Sequence, residues 1–138
     1  MADPVWLQHA RAALKAAISA DPSAGIKVRQ LIEDESVGSE GIAQAILFWV
    51  DCLIEASPEG THTGPYPVPD IWPADMSQRE RWSLRLIGAQ LNEDRTAADR
   101  LLREATMDRD HTFEYALTAV IMAGAGLGGR LMPTQDDA

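Results

Sequence analysis

"GIAQAILFWVDCLIEA", Gly41 to Ala56, decides the fold class. Taken alone, its middle, "ILFWV" from Ile46 to Val50, could be a strand, because β-branched and aromatic residues suit a pleated surface. Its helical flanks argue otherwise. As a helix it is apolar nearly all round, which is the pattern of a buried helix, so it belongs at the centre of the first block of the chain.

Upstream, two more helices are expected. Asp3-Pro4 is a good start signal: Asp caps, and Pro tolerates the first helical position, where an N–H would have no partner. Leu7, Ala10, Leu14, Ala17 and Ile18 then recur at helical spacing to about Ala20. Asp21-Pro22 repeats the signal, and Val28, Leu31 and Ile32 face inward before "EDES". Gly38 breaks that helix, and Ser39 is expected to cap the next.

Downstream lies "GTHTGPYPVPDIWP", Gly60 to Pro73, which no helix could use. Prolines 65, 67, 69 and 73 remove backbone donors and fix φ, so extended chain is expected. Such chain can return from the end of helix three to the start of helix four as a strap, with Tyr66, Ile71 and Trp72 laid across the bundle. A recognition sequence for a Pro-binding partner is the functional alternative. Ser77 followed by Glu80 spells a capping box. Trp82, Leu86, Ile87, Ala89 and Leu91 make the inner face of helix four, and Asn92 to Asp94 break the chain. Ala97, Ala98, Leu101, Leu102 and Ala105 mark helix five; Asp110 or Thr112 should cap helix six, "FEYALTAVIMAGA", again apolar on most sides.

The two blocks share a plan, and a shift of 73 residues aligns them without a gap: Leu14 falls on Ile87, Asp21 on Asp94, Ser39 on Thr112. The identical letters are no more than chance gives; the match is one of rhythm. The fold class expected is all-α: a six-helix bundle of two similar three-helix units, residues 1–57 and 77–127, with their third helices facing each other. A Pro-rich strap, 58–76, joins them, and a flexible tail, 128–138, follows in this single helical domain.

Length and composition agree with one globular domain: 138 residues, 46% hydrophobic and 24% charged. No apolar run approaches the ~20 residues of a membrane-spanning helix. The first residues lack the basic start of a secretory signal, and Cys52 is the sole cysteine, so a cytoplasmic protein is expected. The net charge of −9 disfavours direct nucleic-acid binding, which relies on Lys and Arg. A nucleic-acid mimic would want denser carboxylates than a chain that mixes Arg among its acids.

Residues that could carry chemistry are few. Asp108, Asp110 and His111, "DRDH", invite a metal reading, but a stable site needs three or four donors in defined geometry. Acidic groups at a helix start, favourable to its dipole, are the plainer reading. Cys52 sits on a face expected to be buried, where a thiol is raised in pKa and inert. Gly124, Gly126 and Gly129 spell G-x-G-x-x-G, but a helix precedes them instead of a strand, so the dinucleotide reading fails. Those glycines should fray helix six, or else let another helix approach closely.

Of four tryptophans, Trp49 reads as core. Trp6, Trp72 and Trp82, with Tyr66, could converge into one aromatic patch that forms a partner or ligand surface. With no catalytic constellation and no cofactor motif, the expected function is a non-enzymatic, acidic helical module that binds another protein. Regulatory, adaptor or immunity-like bacterial or phage proteins fit that description, and helix six is the candidate homodimer contact. The alternative is a bundle with an aromatic-lined pocket for a small molecule. A metal-dependent enzyme built on His111 ranks below both.

Overall fold

In the computed structural model, residues 4–56, 76–107 and 109–128 are described, with only the backbone of 109 and 110. They form six helices: α1 (Val5–Ile18), α2 (Ala24–Glu33), α3 (Gly38–Glu55), α4 (Gln78–Leu91), α5 (Arg95–Met107) and α6 (Arg109–Leu127). No strand occurs among the described residues, so the chain is an all-α bundle. Residues 58–75 of the expected strap, with Tyr66 and Trp72, lie outside the described residues, as do residue 57 and residues 129–138 of the tail.

The helix boundaries follow local chemistry. Pro4 occupies the N-cap of α1, and its carbonyl accepts from the N–H groups of Leu7 and Gln8; Asp3 lies outside the described residues. α1 ends where Ala20 enters the left-handed region at φ 55°, and α4 ends in the same way at Glu93, φ 56°. At both ends the next residue closes the turn with a 2.8 Å bond, Asp21 N to Ala16 O and Asp94 N to Ala89 O. The Asp21 carboxylate then accepts from Ser23 N just before α2, and that of Asp94 from Ala97 N in the first turn of α5. Two expected caps are not caps. Ser39 lies inside α3, after Val37 at its N-cap, and Thr112 lies inside α6, which already starts at Arg109. The buried Thr112 hydroxyl donates instead to Ala105 O at 2.9 Å, fastening α6 to the end of α5.

α3 and α6 each touch all five other helices and pack on each other. The α1–α2 pair lies against one part of this centre and α4–α5 against another; the two pairs do not touch. Apolar spacing explains the arrangement: Ile42, Ala45, Ile46, Trp49 and Val50 of α3 are buried, as are Ala116, Ala119, Val120 and Ala123 of α6. Trp49 is wholly enclosed, and its Nε1–H donates to Ala10 O of α1 at 2.9 Å. α1 presents mainly alanines, Ala10, Ala13, Ala16 and Ala17, which let its neighbours come close. One polar group in this interior, the Ser83 hydroxyl, has no hydrogen-bond partner among the described residues.

α6 does not fray at its glycines. It continues to Leu127 because Gly124 is the crossing point with α1: a Cβ there would lie 2.5 Å from Ala17 Cβ and 2.6 Å from its carbonyl carbon. The glycine serves close approach, the alternative that the sequence left in second place.

The junction of α2 and α3 is tied back to α1 by a side-chain hydrogen bond. His9 Nε2 lies 2.9 Å from Asp34 Oδ2; the carboxylate only accepts, so the ring nitrogen donates. The Asp34 carboxyl is lowered to about 2, first by the Ser36 hydroxyl at 2.6 Å, then by His9, then by Ser36 N–H. A carboxylate depressed in the fold supplies stability above its ordinary 3.8 and loses it as pH falls towards 2. Wild type is therefore expected to exceed Asp34→Asn in urea midpoint above pH 3.8, and the difference should vanish near 2. An undiminished difference at the acid end would contradict the linkage.

Candidate functional site

A groove of about 370 Å³ lies between the start of α4 and the outer side of α6. Its first wall is fixed by the capping box anticipated from sequence. Ser77 Oγ accepts from Glu80 N at 3.1 Å, and Glu80 Oε1 accepts from Ser77 N at 3.0 Å. The Ser77 backbone N–H, and after it the Ser77 hydroxyl, hold the Glu80 carboxyl below its ordinary range. Arg79, in the same first turn, reaches across to α6 and pairs with Glu114 at 3.0 Å. The second wall is a stripe of α6: Glu114, Thr118, Ile121 and Met122 fall at helical spacing on one face. Thr118 is turned to its own helix, donating to Glu114 O at 2.8 Å.

Ile121 is 48% exposed in this groove, beside the half-buried Met122. Other exposed apolar side chains, such as Ile26 and Met107, do not line it, and isolated ones are ordinary on a protein surface. The difference at Ile121 is its setting: an apolar side chain in a concave surface edged by a fixed ion pair.

The residues nominated from sequence are spread over the molecule. Trp6 is half-buried on α1, meeting Phe48 of α3 edge-on with ring centroids 6.4 Å apart. Trp82 is 3% exposed; its Nε1–H donates to Leu101 O at 2.9 Å and its ring meets Tyr115 edge-on at 5.0 Å. It joins α4 to α5 and α6 and presents almost no ring to solvent. α1 and α4 do not touch, so these two rings sit in separate contacts; Tyr66 and Trp72 lie outside the described residues. No aromatic side chain lines the α4–α6 groove.

His111 is exposed, with Nδ1 3.4 Å from Glu114 Oε2, the oxygen that Arg79 also engages. The side chains of Asp108 and Asp110 lie outside the described residues. Among the described residues no three His, Cys, Asp or Glu side chains converge as metal ligands. Cys52 is half-buried, and its thiol is pushed up first by burial and then by the neighbouring Glu55 and Asp51 carboxylates. Among the described residues no helix is long and apolar enough to cross a membrane.

Sequence reasoning did not single out Ile121, Met122 or Arg79. The only available signal was that helix six is apolar on more sides than a small bundle can cover. Compared with protein-family models, curated proteins and solved structures, the chain matches none.

Proposed function

We propose that this protein is a non-enzymatic, acidic interaction module whose partner inserts an aliphatic side chain into the α4–α6 groove. The observation that carries this reading is the exposure of Ile121. α6 packs against every other helix and still leaves that side chain half open to water, next to Met122. Apolar anchors in concave sites carry most of the energy in protein interfaces, while the rim supplies fit. The net charge of −9 favours a basic partner and steers its approach, so binding weakens as salt rises. A free thiol with no disulfide suits a reducing compartment.

The test is a comparison of the full chain with Ile121→Asp, each immobilised in extract of the native host. The wild type is expected to retain a protein that the variant releases, and that protein should elute with salt. Equal capture by both, or none by either, would contradict the reading. Self-association through the same face is the dimer form of the idea; sedimentation that shows monomer at every concentration would remove it.

We further propose that the bundle consists of two similar three-helix units. The supporting observations are 73 residues apart: α1 and α4 have matching bounds, Ala20 and Glu93 turn left-handed, and Asp21 and Asp94 close the same bonds.

A further inference from the structure

Between α1 and α3 the chain packs aromatic rings. Trp6 meets Phe48 edge-on with ring centroids 6.4 Å apart, and a Cβ added at Gly41 would lie 3.3 Å from Trp6 Cβ. Trp49, the next residue on α3, donates its ring N–H to Ala10 O of α1. Seventy-three residues further along, Arg79 stands at the position of Trp6, Glu114 at that of Gly41, Ile121 at that of Phe48 and Met122 at that of Trp49. The same two positions meet in both halves, once as Trp6 on Gly41 and once as Arg79 paired with Glu114. Three rings between α1 and α3 thus correspond to an arginine, an isoleucine and a methionine between α4 and α6, and all three of these line the groove.

The walls of the groove suit a neutral ring. Each polar side chain that lines it already has a partner: Ser77 and Glu80 bond each other, Arg79 pairs with Glu114, and Thr118 donates to Glu114 O. A neutral occupant disturbs none of these bonds. The N–H groups of a guanidinium lie in its plane, so an arginine paired through one of them can still take a ring on its face, tryptophan best of all. Room is sufficient as well. An apolar cavity of about 150 Å³ holds a benzene ring, so the groove of about 370 Å³ accommodates a ring beside an aliphatic side chain.

We propose that the partner presents a tryptophan beside its aliphatic anchor, an assignment that rests on the partner surface and the two-unit reading proposed above. The indole takes the place in the second half that Trp6 holds in the first. One face lies on the Arg79 guanidinium and the other on Ile121, the residue that corresponds to Phe48. The aliphatic side chain sits next to it, against Met122.

The test is NMR of the Ile121 δ1-methyl in the full chain, titrated with N-acetyl-L-tryptophanamide and with N-acetyl-L-leucinamide. A ring stacked over that methyl moves its signal upfield, which an aliphatic probe does not do. The expected result is a saturable upfield shift with a dissociation constant on the order of 1 mM. Binding should be about two- to fivefold tighter than that of the leucine probe, the range that a cation–π contact supplies at an exposed site. Arg79→Ala should remove this difference. Arg79→Trp combined with Glu114→Gly restores the residues of the first half; it should move the methyl upfield with no probe added and block the tryptophan probe. The titrations of the wild type do not depend on any variant folding. A leucine probe that binds as tightly, or a tryptophan probe that leaves the methyl unmoved, would overturn the proposal. Ile121-dependent capture of a partner with no response to the tryptophan probe would sink the tryptophan and leave the partner surface standing. Response to the probe with no captured protein would remove the partner and keep the ring site.

Discussion

Gly124→Ala is expected to destabilise the protein by about 1–3 kcal/mol, although it replaces a poor helix former with the best one. In an open helix the same exchange gains up to about 1 kcal/mol. At Gly124 the new methyl would meet Ala17 Cβ at 2.5 Å, its carbonyl carbon at 2.6 Å and its oxygen at 2.8 Å. Two of those atoms are backbone, so α1 and α6 must separate, and every contact along their crossing loosens with them. Ala17→Gly removes only the side-chain part of the clash and should not restore stability. Gly25 is the control: it is helical, and a Cβ there meets nothing within 4 Å. Thermal melts should show Gly25→Ala unchanged or raised and Gly124→Ala lowered. A Gly124→Ala variant as stable as Gly25→Ala would contradict the crossing.

Trp49→Ala should be the most damaging single truncation, at about 3–5 kcal/mol. The ring has no exposed surface, so its removal opens a cavity at the centre, where α3 meets its neighbours. A loss of that size takes a large share of the ~5–15 kcal/mol that a domain possesses. Trp49→Phe separates the two contributions. It retains an aromatic body and loses the hydrogen bond to Ala10 O, worth about 1 kcal/mol, along with some volume. Urea denaturation should rank wild type above Phe and Phe well above Ala. Near-equal midpoints for Ala and wild type would mean that Trp49 is not enclosed.

These two positions show what could be read in the sequence. Trp49 was legible because its neighbours on every side are apolar, a local pattern that implies a buried helix. The capping box at Ser77 and Glu80 and the break at Asn92–Asp94 were legible because capping depends on residues three or four apart. Gly124 was read as an end because local propensity alone penalises glycine in a helix. Its purpose lies at Ala17, more than one hundred positions away, and no local window contains both. Thr112 was misplaced for the same reason. Its hydroxyl answers a carbonyl on the preceding helix, while its residue type suggests a cap.

The candidate site was legible only in outline. The excess of apolar surface on helix six could be seen, but which residue remained open depended on how the other helices covered it. α1 takes the Gly124 side, and α4 reaches Glu114 through Arg79. Ile121 and Met122 are left beside the capped start of α4. The aromatic residues were the natural nominees for a binding surface, yet Trp82 is committed to Leu101 and Tyr115 inside the bundle.

The account rests on α6 as the axis on which all five other helices pack. Amide hydrogen exchange measured residue by residue tests this most directly, because protection reports the free energy of opening each segment. The amides from Ala116 to Ala123 should be among the slowest in the chain, exchanging only through global unfolding. Exchange there as fast as at the exposed ends of α2 or α5, with α1 still protected, would contradict it.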